Sequence, residues 1–326
     1  MLKMEGLKMR RTLLVPTLMM TVFLASCGGA TPVSESSAPV TEEKEMSTEQ
    51  VSDRWKVTKA GTAVSHIHGA GFWPDGRPVI ATHTGLMEFR EDGWYELSSN
   101  RHDYMGFELV ADGFYASGHP AQDSPYKNPI GVVRGTDKGE TLEIRSLEGE
   151  ADFHYMSAGF ESENLYVYLE TATSELEPGF YRSLDGGTSF EPMKMDGVEG
   201  RGIAGITADA SEPKRVFVYG PDGILVSDDG GDTFEPFLEQ KNIVTMASTK
   251  GKLASITKDG ASFDLVVSDL TDETETTVEL PSLNADSVPI ELVSQNGRFL
   301  LATSDNSVYV FEDEEWTQLL QAGKVK

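Results

Sequence analysis

From Trp55 onward, apolar residues fall in short runs broken by Gly, Asp, Asn and Pro turns. The runs group into units that open near a His, Asp or Gly. The openings are His66 to Phe72 (HIHGAGF), Asp103 to Phe107, Asp152 to Phe160, Gly202 to Ile206, Ile243 to Ala247 and Ile290 to Val293. Each opening is followed by a turn, a second strand rich in Val, Ala and Tyr, a third strand, a tight acidic or glycine turn, and a fourth strand with an aromatic residue. The late turns centre near Asp92, Asp137, Asp185, Asp229, Asp272 and Asp313, spaced roughly 45 residues apart. Four short strands per unit, repeated around the chain, predict an all-β fold: a single β-propeller of four-stranded blades over residues 54–324. Six blades fit this division. Seven remain open, because Trp55–Lys59 is placed to close the ring as an extra strand of the last blade.

Ahead of the repeats the pattern changes twice. Residues 1–26 carry Lys3, Lys8, Arg10 and Arg11 against Glu5, then an apolar stretch from Leu13 to Ala25. That stretch is short for a permanent span and fits a cleaved export signal. Residues 27–53 are rich in Gly, Ser, Thr, Pro and Glu and lack aromatics, which predicts a disordered acidic tether.

The charge balance, 27 Lys+Arg against 53 Asp+Glu for a net −26, repels phosphate backbones and excludes a nucleic-acid partner. A single Cys excludes a disulfide framework and any cysteine-cluster metal site. That one Cys lies in the stretch Leu24-Ala25-Ser26-Cys27-Gly28. The segment resembles a bacterial lipobox. The resemblance implies cleavage before Cys27, a diacylglycerol on Cys27, and a lipoprotein anchored to the cell membrane on its extracytoplasmic face.

Three late turns carry a sharper pattern. Ser183-x-Asp185-x-Gly187-x-Ser189-Phe190 and Ser227-x-Asp229-x-Gly231-x-Thr233-Phe234 share one spacing, and Asp137-x-Gly139 keeps part of it. The carboxylate can accept hydrogen bonds from turn amides and hydroxyls, and the aromatic can pack back between blades. These turns resemble the Asp-box (BNR) repeat of the sialidase-like and sortilin-like propellers and of photosystem-assembly-factor-like proteins. The resemblance implies a structural role for Ser183, Asp185, Gly187, Phe190, Ser227, Asp229, Gly231, Phe234, Asp137 and Gly139. The sialidase catalytic set, with its arginine triad and N-terminal Phe/Tyr-Arg-Ile-Pro motif, is not recognised here. The segments HIHGAGF, ATHTGL, DYMGF and ASGHP resemble exported bacterial propellers of glycosylhydrolase-like type.

All six histidines, His66, His68, His83, His102, His119 and His154, lie in the first three units. They fall at the starts of first strands or the ends of second strands. Propeller topology brings both to one rim around the channel mouth. Imidazole ligates Zn, Cu, Ni and Fe, and Asp103 or Asp152 can complete a mixed set. Met105 and Met156 would suit copper if they face inward. The expected site is therefore His66, His68, His83, His119, His154 and Asp103, taking a transition metal (Zn or Cu) or a small ligand. The alternatives are strand-end histidines that only bond loop backbones and chance clustering on a solvated rim. Three functions follow: a binding module for a metal, small ligand or protein partner; a glycosyl hydrolase-like enzyme acting on an extracellular glycan; or a scaffold without a small-molecule site.

Overall fold

The middle strands of each unit read as unbroken apolar runs because both of their faces are covered. Pro78–Thr82, for example, is buried at every position. The outermost strands, such as Thr141–Ser146, mix exposed and half-buried positions and keep polar residues. The structure, a computed structural model, describes residues 54–238, 240 and 242–326. Export segment 1–26, tether 27–53 and Cys27 lie outside the described residues.

Six antiparallel sheets follow one another along the chain, each with its four blade strands hydrogen-bonded in sequence order. The first strands are Ile67–Phe72, Asp103–Val110, Tyr155–Ala158, Gly205–Ala208, Ile243–Thr249 and Pro289–Gln295. Each packs against the first strand of the next sheet, and the last packs against the first, so the ring closes as a six-bladed β-propeller. One apolar cluster sits at each blade boundary. Ile80 and Met87 of blade 1 meet Leu300 and Val308 of blade 6, and Phe217 of blade 4 meets Leu253 of blade 5. All six late turns expected from the sequence lie between third and fourth strands.

Trp55–Val57 corrects one expectation. It is a fifth, outermost strand of the first blade, paired antiparallel with Gly93–Leu97, and adds nothing to the last blade. The ring is clasped instead by the two ends of the domain. Val64 donates to the Gly323 carbonyl, Gly61 to that of Val325, and Val325 to that of Thr62. Val325, held in this clasp, is itself buried.

The two full Ser-x-Asp-x-Gly turns are hydrogen-bonded alike. Asp185 Oδ1 accepts from Ser183 Oγ at 2.7 Å and from the amides of Thr188 and Ser189, while Ser183 Oγ accepts from Gly187 N. Asp229 repeats this with Ser227, Asp232, Thr233 and Gly231. Gly187 and Gly231 have φ of +78° and +96°, the left-handed region, and a Cβ on either would strike the core beneath. Phe190 stacks on Phe153 at 5.5 Å, and Phe234 is buried between blades 3 and 4. An arginine of the preceding blade grips each turn: Arg145 reaches Gly186 O and Thr188 Oγ1, and Arg182 reaches Gly230 O and Asp232. In the partial copy, Thr141 Oγ1 donates to Asp137 Oδ2.

Candidate functional site

Because first strands start on one face and second strands return to it, the histidines gather on that face over blades 1–3. A bulge shapes the first cluster. Ile67 pairs with Thr82 and Gly69 with Ala81, leaving His68 as the extra residue. A bulge re-aims a side chain in this way without breaking the sheet. Met105, Val244 and Ile290 are the matching extra residues in blades 2, 5 and 6.

His66, His68 and His83 each offer a ring nitrogen, and the three atoms lie within 4.8 Å of one another. His66 Nδ1 is 2.7 Å from His83 Nε2, and His68 Nε2 is 3.3 Å from His83 Nδ1. Asp103, which opens blade 2, takes a 2.8 Å hydrogen bond from His83 Nδ1 across the blade boundary. An ionised carboxylate only accepts, so it fixes the proton on Nδ1 and leaves His83 Nε2 with its lone pair toward His66. A carboxylate behind an imidazole whose other nitrogen faces a cluster of nitrogens is the usual support of a metal-ligating histidine. Burial, then the charge of His83, hold His68 below the ordinary imidazole value, against the pull of Asp103. A bare His68 nitrogen is the form that ligates. The site is open to water: His66 is exposed, and the His83 side chain keeps 33% of its surface.

His119 and His154 do not join that trio. They flank Asp152, whose Oδ2 lies 3.1 Å from each of their Nε2 atoms. His119 Nδ1 meets Asn128 Oδ1 at 2.7 Å, and His154 Nδ1 meets Glu170 Oε2 at 2.7 Å. The two sets are neighbours: Asp103 pairs with His119 across the sheet, and His154 acts electrostatically on His68. Asn128 and Glu170 belong to no sequence motif, and only the fold brings them to the rings.

His102 departs from the rim. It is 2% exposed, packed edge-on to Tyr104 and Tyr126, and its Nδ1 accepts from Ala121 N at 3.0 Å. Desolvation lowers its pKa, so it is a neutral packing residue. Met156 is buried in the cluster between blades 2 and 3 and is not a copper ligand of the rim.

The central channel holds a separate feature. A cavity of about 290 Å³ is lined from all six blades and includes Glu108 and Glu291. Desolvation pushes Glu291 up to about 8. Desolvation, then the charge of Glu291, raise Glu108 well above the usual carboxylate range. On the histidine-bearing face, blades 4–6 offer a shallow groove lined by Pro221, Val244, Pro289 and Ile290.

No family model and no curated protein matches the chain. Solved structures do. A chain of the nidogen/laminin complex aligns with a TM-score of 0.50 at 9% identity, covering 82% of this chain and 95% of that one. The GH74 xyloglucanase of Xanthomonas campestris aligns at 0.48 and 16% identity, covering 82% of this chain. This chain spans only 46% of the xyloglucanase. YCF48 bound to D1 peptide aligns at 0.39 and 14% identity, covering 66% of this chain and 67% of that one. At these identities the likeness is one of fold.

Proposed function

We propose that the protein is a lipid-anchored, extracytoplasmic propeller that binds a transition-metal ion, Zn²⁺ or Cu²⁺, on its rim. Residues 1–26 are the export signal, Cys27 is the lipidated residue, residues 27–53 are the tether, and the Asp-box turns stiffen the ring. The observation that carries the metal reading is the trio His66, His68 and His83, with nitrogens within 4.8 Å and Asp103 behind His83. Tetrahedral zinc bonds of about 2.0–2.1 Å place ligand nitrogens about 3.3 Å apart, so small ring rotations bring the trio onto one ion. The ion would replace the proton between His66 Nδ1 and His83 Nε2, with His68 Nε2 as third ligand and a fourth position facing water.

A glycosyl hydrolase needs two carboxyl groups free to meet a substrate. Asp103 and Asp152 do not supply that pair on the rim, since each is turned onto imidazoles.

The test is zinc titration of tag-free, chelator-stripped protein by calorimetry. Binding that disappears in the His66→Ala/His68→Ala double variant, with the thermal transition retained, is the expected result. Binding unchanged by the double variant, or none in the parent, removes the proposal. For the anchor, radiolabelled fatty acid is expected in the parent and absent from Cys27→Ser.

A further inference from the structure

We infer that the rim holds a second metal site of different chemistry, formed by His119, His154 and Asp152. It extends the reading of this face as metal-binding, and it uses none of the donors of the first trio.

His119 Nδ1 faces Asn128 Oδ1, and His154 Nδ1 faces the Glu170 carboxylate, both at 2.7 Å. Carboxylate and amide oxygens accept, so each ring donates from Nδ1. In the neutral ring the other nitrogen, Nε2, is then a bare lone pair. Both Nε2 atoms point at Asp152 Oδ2, 3.1 Å away, which is itself an acceptor. Each contact calls for a positive centre between nitrogen and oxygen, either a second proton on the ring or a cation. Asp152 Oδ1, the other carboxylate oxygen, is buried and accepts no hydrogen bond. A cation held by Asp152 and the two Nε2 atoms would take the place of both ring protons.

The construction also occurs twice. In each case a His at the end of a blade's second strand meets an Asp that opens the following blade. His83 and Asp103 do so across blades 1 and 2, and His119 and Asp152 across blades 2 and 3. The second copy has orienting oxygens behind both rings, Asn128 and Glu170, the outer support that fixes ring tautomers around a metal. Two imidazoles and one carboxylate form a harder set than three imidazoles. They suit Zn²⁺ or Fe²⁺ with open positions for water, whereas the all-nitrogen trio favours Cu²⁺ or Zn²⁺.

The experiment is zinc titration at pH 8, above the ordinary imidazole range, of full-length, tag-free, chelator-stripped protein. It compares the parent, a His66→Ala/His68→Ala/His83→Ala variant and a His119→Ala/His154→Ala variant, with circular dichroism to confirm the fold of each. Two ions in the parent and one in each variant is the expected result. Asp152→Asn keeps the shape and removes the anion. It should weaken one of the two binding events by about 10-fold or more and spare the other. One ion in the parent, lost only with His66, His68 and His83, overturns the second site and leaves the first standing. One ion lost only with His119 and His154 does the reverse. One ion lost in both variants overturns the second site in favour of a single shared centre, and no ion in the parent overturns both.

Discussion

Asp103 Oδ1 lies 2.8 Å from His83 Nδ1, a contact that joins the edge of one blade to the start of the next. Asp103 is read as a positioning residue, holding the His83 tautomer rather than ligating through its own oxygen. Asp103→Asn should therefore weaken zinc binding at the trio by about 10- to 100-fold. Calorimetry reads the affinity. A melting temperature within about 2 °C of the parent separates orientation from misfolding.

The two Ser-x-Asp-x-Gly turns predict an acid limb of unfolding. Desolvation alone would raise Asp185, but hydrogen bonds from Ser189, Ser183 and Thr188 outweigh it and hold the carboxyl at about 2. Asp229 is held at about 2 in the same way, with Thr233, Ser227 and Asp232 as donors. A depressed folded-state value means that the stabilisation is complete above the unfolded value of about 4 and is lost as pH falls through about 2. Denaturant melts from pH 5 to pH 2 should show this loss, and an Asp185→Asn/Asp229→Asn variant should start lower and fall less steeply.

Glu291 has the opposite sign. Its folded-state value is raised to about 8, so its neutral form is favoured in the channel, and stability is lost as pH climbs from the unfolded value through about 8. Glu291→Gln should raise the melting temperature at pH 8 by on the order of 5 °C and change it little at pH 4. Equal shifts at both pH values would refute this account of the channel.

Gly106 lies on the innermost strand of blade 2, where a Cβ would collide with the Phe153 carbonyl at the boundary with blade 3. Gly106→Ala should cost about 1–3 kcal/mol in chemical denaturation, the usual penalty for overpacking.

The fold was legible because its signal is local and repeated. Each late turn needs a residue that bends the chain, and Asp92 through Asp313 mark all six. Trp55–Val57 misled because an added edge strand has the same local pattern whichever blade it joins, and only the pairing with Gly93–Leu97 decides. The histidines were legible as a group on one face but not in their division. Nothing in the local pattern distinguishes His102, which turns under a loop onto Tyr126, from its neighbour Asp103, which turns onto the rim. The bulge at His68 depends on cross-strand register with Thr82 and Ala81. Asn128 and Glu170 matter only because long-range folding sets them behind imidazoles.

Crystals grown with Zn²⁺ and measured on both sides of the zinc absorption edge test the central claim most directly. The account predicts an anomalous peak bonded to nitrogens of His66, His68 and His83, with Asp103 still on His83 Nδ1. A map with the rings in place and no peak among them, at saturating zinc, would contradict it.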